Sequence, residues 1–213
     1  MYQDRQAAGE VLAGKLADRH FGSVAILAVP RGGIVVAAPI ARRLKTRLEV
    51  LVTRKIGHPV NPEVAIGAVM ADGRAILDED IIGRSGVSQG YLQQAVAAEY
   101  AELKRRLVLY TGSEEPAAVA GKTAVIVDDG IATGYTVRAA IKWLKTLHPA
   151  KIVLAVPVAP PETIAELAVT VDEIICPLQP PYFMAVGQYY QEFSQNTDAE
   201  VLAILAEINK TRQ

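Results

Sequence analysis

The sequence predicts an α/β protein: a parallel sheet of about five strands with helices on both faces. Three observations carry that reading. First, five short runs are mostly apolar and do not alternate regularly: Ser23 to Val29, Leu48 to Thr53, Thr123 to Val127, Ile152 to Val158 and Val171 to Ile175. A strand exposed on one face would alternate apolar with polar residues, whereas strands of a parallel sheet are covered on both. Second, helix-like segments separate most of these runs, which is the rhythm of βα units. Third, 213 residues that are 51% hydrophobic and 21% charged supply a large core and exclude global disorder.

Taken in order, residues 2–19 read as an amphipathic helix with Val11, Leu12 and Leu16 on its apolar stripe. The first strand, Ser23 to Val29, ends in Pro30-Arg31-Gly32-Gly33, and residues 34–46 read as the helix behind it despite Pro39. Leu48 to Thr53 is the second strand. Arg54 to Pro62, with two prolines, a glycine and an asparagine, reads as a loop. Val64 to Met70 and Ala75 to Leu77 flank Asp72-Gly73, a turn signal, and are expected to pair. Residues 88–109 form a long helix. Thr123 to Val127 leads into a glycine loop and a helix through Leu147, then come a strand, a short helix over 161–168, a last strand, and a C-terminal helix over 198–210. The N-terminal helix and the segment from Cys176 to Gln195 stand outside the βα rhythm.

Bulk properties narrow the function. A net charge of −1 gives no general attraction for nucleic acid or acidic membranes, and the basic stretch Arg42, Arg43, Lys45 and Arg47 reads as a solvated helix face. Cys176 is the only cysteine, so neither an intrachain disulfide nor a thiolate metal cage can form. His20, His58 and His148 lack metal-ligand spacing. No run approaches the roughly 18 apolar residues of a membrane span, and the first residues lack the apolar stretch of a signal peptide. A cytoplasmic protein is expected.

The segment Val127-Asp128-Asp129-Gly130-Ile131-Ala132-Thr133-Gly134-Tyr135-Thr136 carries the functional argument. A buried strand ends in two carboxylates, which must sit at its exposed tip because unpaired charges in the core are costly. Ligands of open α/β sheets bind at such strand ends. The glycine loop and the helix N-terminus after it offer backbone N–H groups to a phosphate. The carboxylates repel phosphate but accept hydrogen bonds from a diol, so phosphate and diol together describe ribose 5-phosphate. No lysine follows the last glycine as in a nucleotide-triphosphate loop, and no G-x-G-x-x-G follows a strand. Gly83-Arg84-Ser85-Gly86 is not a hydrolase elbow.

This segment resembles the phosphoribosyl-diphosphate signature of type I phosphoribosyltransferases: apolar run, two acids, two variable residues, then a small-Thr-Gly-x-Thr loop. The resemblance implies a Rossmann-like core, about 20–176, with a small hood from residues 1–19 and 177–213, in one domain. It implies that Asp128 and Asp129 hold the ribose hydroxyls. Gly130, Ile131, Ala132, Thr133, Gly134, Tyr135 and Thr136 form the loop whose 132–136 stretch holds the 5′-phosphate. Arg31, Gly32 and Gly33 match the family's pyrophosphate loop, which often has a cis peptide, here at or beside Arg31. The Arg54 to Glu63 segment matches the mobile lid, with Arg54 and Lys55 as pyrophosphate contacts. His58 and Glu63 are there as proton-transfer candidates or as parts of an ordinary solvated loop. In the hood, Tyr182 and Phe183 lead a set of aromatics, with Tyr189, Tyr190 and Phe193, that either stack on an acceptor base or pack a small core. Nearly the whole chain, including Ala185-Val186-Gly187-Gln188, resembles a branch of stand-alone bacterial phosphoribosyltransferases known by sequence.

The implied reaction moves the 5-phosphoribosyl group from phosphoribosyl diphosphate to a nitrogenous acceptor, a nucleobase or related heterocycle, and releases pyrophosphate. Mg²⁺ is expected to arrive bound mainly to the diphosphate rather than to a protein metal site. A homodimer accords with the family; nucleic acid and membrane partners do not accord with the charge. One departure matters: the 6-oxopurine transferases carry an aspartate three positions after the second acid, where this chain has Ala132. Hypoxanthine and guanine are therefore not the expected acceptors. The alternative is a regulatory protein that binds phosphoribosyl diphosphate or a nucleotide without turnover; a basic face or a DNA-binding appendage would favour it, and Arg31 and the lid favour catalysis.

Overall fold

The computed structural model describes residues 1–62 and 64–210. In chain order the elements are α1 (Arg5–Ala17), β1 (Val24–Ala28), α2 (Gly32–Arg43), β2 (Leu48–Val50), β3 (Arg54–Gly57), β4 (Ala65–Val69) and β5 (Ala75–Leu77). There follow α3 (Glu79–Ser85), α4 (Gln89–Thr111), β6 (Thr123–Val127), α5 (Tyr135–Lys145), β7 (Lys151–Ala155), α6 (Pro161–Ala168), β8 (Glu173–Ile175) and α7 (Asp198–Lys210). They form two compact units, the second comprising Val52–Pro116 and Tyr135–Thr146 and the first the rest.

The first unit holds the five-stranded parallel sheet, in the order β2-β1-β6-β7-β8. Every residue of β6, the central strand, is buried, as the absence of alternation requires. From β1 the chain passes through α2 to β2 on one side, and from β7 through α6 to β8 on the other. Right-handed crossovers running in opposite directions put these helices on opposite faces of the sheet. The expected α/β fold is thus present, with strands shorter than the apolar runs: β2 stops at Val50 and β7 at Ala155.

Helix α1 starts at Asp4, whose side chain accepts from the Ala7 N–H at 2.7 Å. It buries Ala8, Leu12, Ala13 and Leu16 and packs along α2. Val11, expected on that stripe, lies 42% exposed, since the stripe runs through positions 8, 12 and 16 instead. Pro39 lies inside α2, and its ring is buried against Gly9 of α1. Asn209 of α7 exchanges two hydrogen bonds, both 3.0 Å, with the Leu48 backbone on edge strand β2.

The N-terminal segment pairs with residues 189–192. The Tyr2 N–H donates to the Tyr189 carbonyl at 2.8 Å, and the N–H groups of Gln191 and Glu192 donate to the carbonyls of Tyr2 and Gln3 at 2.9 Å each. Beneath this short ladder, Ala8, Val158 and Tyr190 form a small core against which Tyr2, Leu178, Phe183, Val186 and Tyr189 pack.

In the second unit, β3, β4 and β5 form an antiparallel sheet. The expected β4–β5 pairing around Asp72-Gly73 is present. Two expectations need correction. Residues 54–57, read as loop, are a strand: Ile56 is fully buried and pairs across β4, a signal masked by the glycine and prolines that follow. Residues 79–85, for which the sequence pattern predicts no element, are a short helix begun by Asp78, whose side chain accepts from the Ile81 N–H. Trp143 on α5 donates its indole N–H to Asp72 at 2.7 Å, fastening that helix to the turn. Among the described residues, no helix is long and apolar enough to cross a membrane.

Candidate active site

At the carboxyl end of the parallel sheet, β6 delivers Asp128 and Asp129, both partly buried. Asp128 turns back to accept the Asp129 N–H at 2.8 Å. Burial first, and then the adjacent Asp129 charge, push the Asp128 carboxyl well above the usual carboxylate range; the Arg5 charge acts against that rise. Beyond the acids, Gly130 lies under Val186 of the hood segment, and the Ile131 N–H donates to the Val158 carbonyl at 3.0 Å. Ala132 and Thr133 are exposed, and Thr163 holds the loop by donating its hydroxyl to the Ala132 carbonyl at 2.8 Å. Gly134 has φ +68°, a conformation that resists a Cβ, and the chain then enters α5 at Tyr135 with Thr136 in its first turn.

The loop after β1 lies directly against this acidic pair. Gly32 and Gly33, expected in a turn ahead of the helix, are instead the first residues of α2, because Arg31 already has helical dihedrals at the N-cap. A Cβ on Gly32 would fall 2.0 Å from Asp129 Oδ2, and one on Gly33 would fall 2.8 Å from the Val127 carbonyl. The two loops that the sequence singles out are therefore packed at a distance only glycine permits. The peptide joining Pro30 to Arg31 is cis. Arg31 itself is exposed, with a guanidinium nitrogen 4.0 Å from Asp198 at the start of α7.

Two contacts with the acids fall on residues the sequence reading did not single out for the site. Arg5 donates from Nε to Asp129 Oδ2 at 2.7 Å and from Nη1 to the Ser194 carbonyl at 2.8 Å, with its guanidinium 3.8 Å above the centre of the Phe193 ring. No local motif marks this partnership, which spans 124 positions. Tyr190, read only as one of several hood aromatics, donates its hydroxyl to the Asp129 carbonyl at 2.6 Å. Burial first, then the Asp129 charge, raise the Tyr190 phenol above its ordinary range, so it remains a donor. Tyr190→Phe is expected to cost about 1 kcal/mol in thermal unfolding. Ligand affinity should change less than about threefold, since the lost bond goes to a backbone carbonyl.

The two hood aromatics favoured for the acceptor are placed differently from one another. Tyr182 is 90% exposed, whereas Phe183 stacks on Tyr189 with ring centres 5.4 Å apart and belongs to the small core. In the second unit, Arg54 of β3 is ion-paired with Glu99 of α4 at 2.7 Å, and Lys55 is an exposed residue of the same strand. His58 accepts the Val60 N–H on Nδ1 at 3.2 Å. Glu63 lies outside the described residues.

Comparison with known proteins shows the family of the chain. The family model described as the phosphoribosyl transferase domain matches residues 1–190. A Mycobacterium tuberculosis H37Rv protein with a provisional phosphoribosyl transferase name is 39% identical over 96% of this chain, which corresponds to 46% of its own length. The chain thus spans about half the length of the curated relatives it matches. The crystal structure of TT1426 from Thermus thermophilus shares 39% identity and a TM-score of 0.83, over 97% of this chain and 98% of that one. A hypoxanthine phosphoribosyltransferase from Staphylococcus aureus is similar in fold alone, at 12% identity and a TM-score of 0.50 over 92% of this chain and 84% of its own.

Proposed function

Because the chain belongs to the phosphoribosyl transferase domain family, we propose that it transfers a 5-phosphoribosyl group from phosphoribosyl diphosphate to a nitrogen nucleophile and releases pyrophosphate. The observation that supports this most is the packing of the α2 N-terminus on the Asp128-Asp129 pair through Gly32 and Gly33. It sets a helix N-terminus, chemically suited to an anion, beside two acids chemically suited to a diol. The donor carries those two groups on adjacent carbons, with pyrophosphate on C1 and the diol on C2 and C3.

In this reading Asp128 and Asp129 accept the ribose hydroxyls, and the backbone N–H groups of 132–136, with the Thr133 and Thr136 hydroxyls, receive the 5′-phosphate. The first-turn N–H groups of α2 and the Arg31 guanidinium take the pyrophosphate. The C1–oxygen bond breaks with its electron pair leaving on pyrophosphate, the nitrogen lone pair forms the new C1–N bond, and the nitrogen gives up its proton to the departing pyrophosphate or to water. As positive charge builds on the sugar ring, the two carboxylates stabilise it electrostatically.

Among the described residues, no three His, Cys, Asp or Glu side chains gather as a metal cage. The paired carboxylates suit a Mg²⁺ that keeps waters and substrate oxygens, and Asp128 and Asp129 would help to hold it in the donor complex. Bound there, Mg²⁺ supplies charge neutralisation for the leaving pyrophosphate. The acceptor is a nitrogenous heterocycle; Ala132 in place of an acid argues against hypoxanthine and guanine.

The test is a screen for pyrophosphate release with Mg²⁺, phosphoribosyl diphosphate and a panel of nucleobases and related heterocycles. Base-dependent release is expected with at least one acceptor. Tight donor binding with no release across the panel would favour a regulatory protein instead.

A further inference from the structure

We infer that Arg5 is a positioning residue for the ribose diol, presenting one oxygen of Asp129 to the sugar by holding the other. The inference rests on the donor-site reading above. Arg5 engages Asp129 through Oδ2, with its Nε 2.7 Å from that oxygen. The guanidinium is itself fixed on three sides: Asp129, the Ser194 carbonyl at 2.8 Å, and the Phe193 ring, which stacks on Tyr190 with centres 5.0 Å apart. Its side chain is 11% exposed and that of Asp129 18%, so the pair is largely withdrawn from water and its geometry is not averaged by solvent.

Both ends of the clamp come from the hood. Arg5 opens α1 immediately after the Asp4 cap, and Phe193 and Ser194 follow the strip that pairs with Tyr2 and Gln3. The N-terminal segment and the 189–194 strip thereby fix an acid of the central strand.

Arg5 also supplies the one cationic side chain paired with Asp129 among the described residues, offsetting one of two adjacent negative charges. A carboxylate held at one oxygen keeps the lone pairs of the other for a hydroxyl. Without Arg5 the carboxylate is free to rotate, and the proton uptake that burial and the Asp129 charge already favour at Asp128 is opposed by one charge fewer. The role is therefore one of ribose recognition, exercised through Asp129 and not by contact with the reacting carbon.

The test compares calorimetric affinities for ribose 5-phosphate, 2-deoxyribose 5-phosphate and 3-deoxyribose 5-phosphate. Wild type is expected to prefer the full diol over at least one deoxy sugar by about 10- to 100-fold. In Arg5→Met, which keeps the stem on Phe193 but removes charge and donors, that preference should shrink to within about threefold. Arg5→Lys should restore part of it, because the charge returns without the planar fork. A variant that merely unfolds more readily loses binding sites for all three sugars and leaves the ratio unchanged. Should Arg5→Met fail to fold, Phe193→Leu, which loosens the guanidinium, is expected to narrow the ratio as well. A wild-type ratio retained in Arg5→Met, or in Phe193→Leu where that stands in, overturns the role of Arg5 and leaves the site standing. Absence of any preference in wild type overturns the diol site and the role of Arg5 together.

Discussion

Replacing both acids, Asp128→Asn with Asp129→Asn, is expected to lower calorimetric affinity for phosphoribosyl diphosphate by roughly a hundredfold to ten-thousandfold. That range follows from losing two charge-assisted hydrogen bonds of about 1.5–3 kcal/mol each. Unchanged affinity would remove the acids from the site. The same pair makes a second, opposite expectation about stability. Burial and the Asp129 charge raise the Asp128 carboxyl in the folded protein, so the folded state binds that proton more tightly than the unfolded chain does. The contribution to stability is complete below the ordinary carboxylate range and is lost as pH rises through the raised value. Thermal unfolding of the unliganded wild type should therefore show stability falling over that window. Asp128→Asn, which keeps an oxygen for the Asp129 N–H, should flatten the dependence and gain on the order of 1 kcal/mol at neutral pH. Binding would weaken while stability improves, the trade expected where two like charges are held together for a ligand.

Gly32→Ala is expected to damage stability and donor binding together. The new Cβ would lie 2.0 Å from Asp129 Oδ2, 2.6 Å from its Cγ and 2.7 Å from Arg5 Nε. Relief requires moving the carboxylate, and Arg5, clamped by Phe193 and Ser194, cannot follow it freely. A cost of about 1–3 kcal/mol in denaturant unfolding is expected from overpacking. Donor affinity should fall at least tenfold, about 1.4 kcal/mol, because the displaced group is the ligand's acceptor. Gly14→Ala supplies the contrast. It sits in α1 with nothing within 4 Å of a built Cβ. There the substitution should stabilise by about 0.5–1 kcal/mol and leave binding alone. If Gly32→Ala binds the donor as wild type does, the two loops do not share one ligand.

The parts legible in the sequence were those written in contiguous residues. Thr123–Val127, Pro161–Ala168 and Asp198–Lys210 stand where the apolar run and the helical patterns place them. The acid pair, its glycine loop and the following helix are also consecutive, so strand end, turn and helix start could be read together. Signals that conflict locally were harder. Ile56 belongs to a strand, but Gly57, Pro59 and Pro62 dominate its surroundings. Gly32 and Gly33 carry turn chemistry, yet tertiary contact with the acids selects them as the first helical residues.

Partnerships across long separations were not legible. Arg5 looks like any charged residue in the first turn of an amphipathic helix, and its contact with Asp129 exists only after the chain ends meet. The hood aromatics show the same limit. Tyr182, chosen from its position in the segment, faces solvent, while Tyr190, indistinguishable from it in type, reaches the Asp129 carbonyl. Which aromatic points inward depends on the Tyr2–Tyr190 bridge, and composition carries no trace of that.

A crystal structure of the protein with Mg²⁺ and ribose 5-phosphate or phosphoribosyl diphosphate tests the donor site most directly. Expected is a sugar whose hydroxyls meet Asp128 and Asp129 and whose 5′-phosphate lies on the backbone N–H groups of residues 132–136. A sugar phosphate seated away from these residues, or bound with its phosphate remote from the loop, would contradict it.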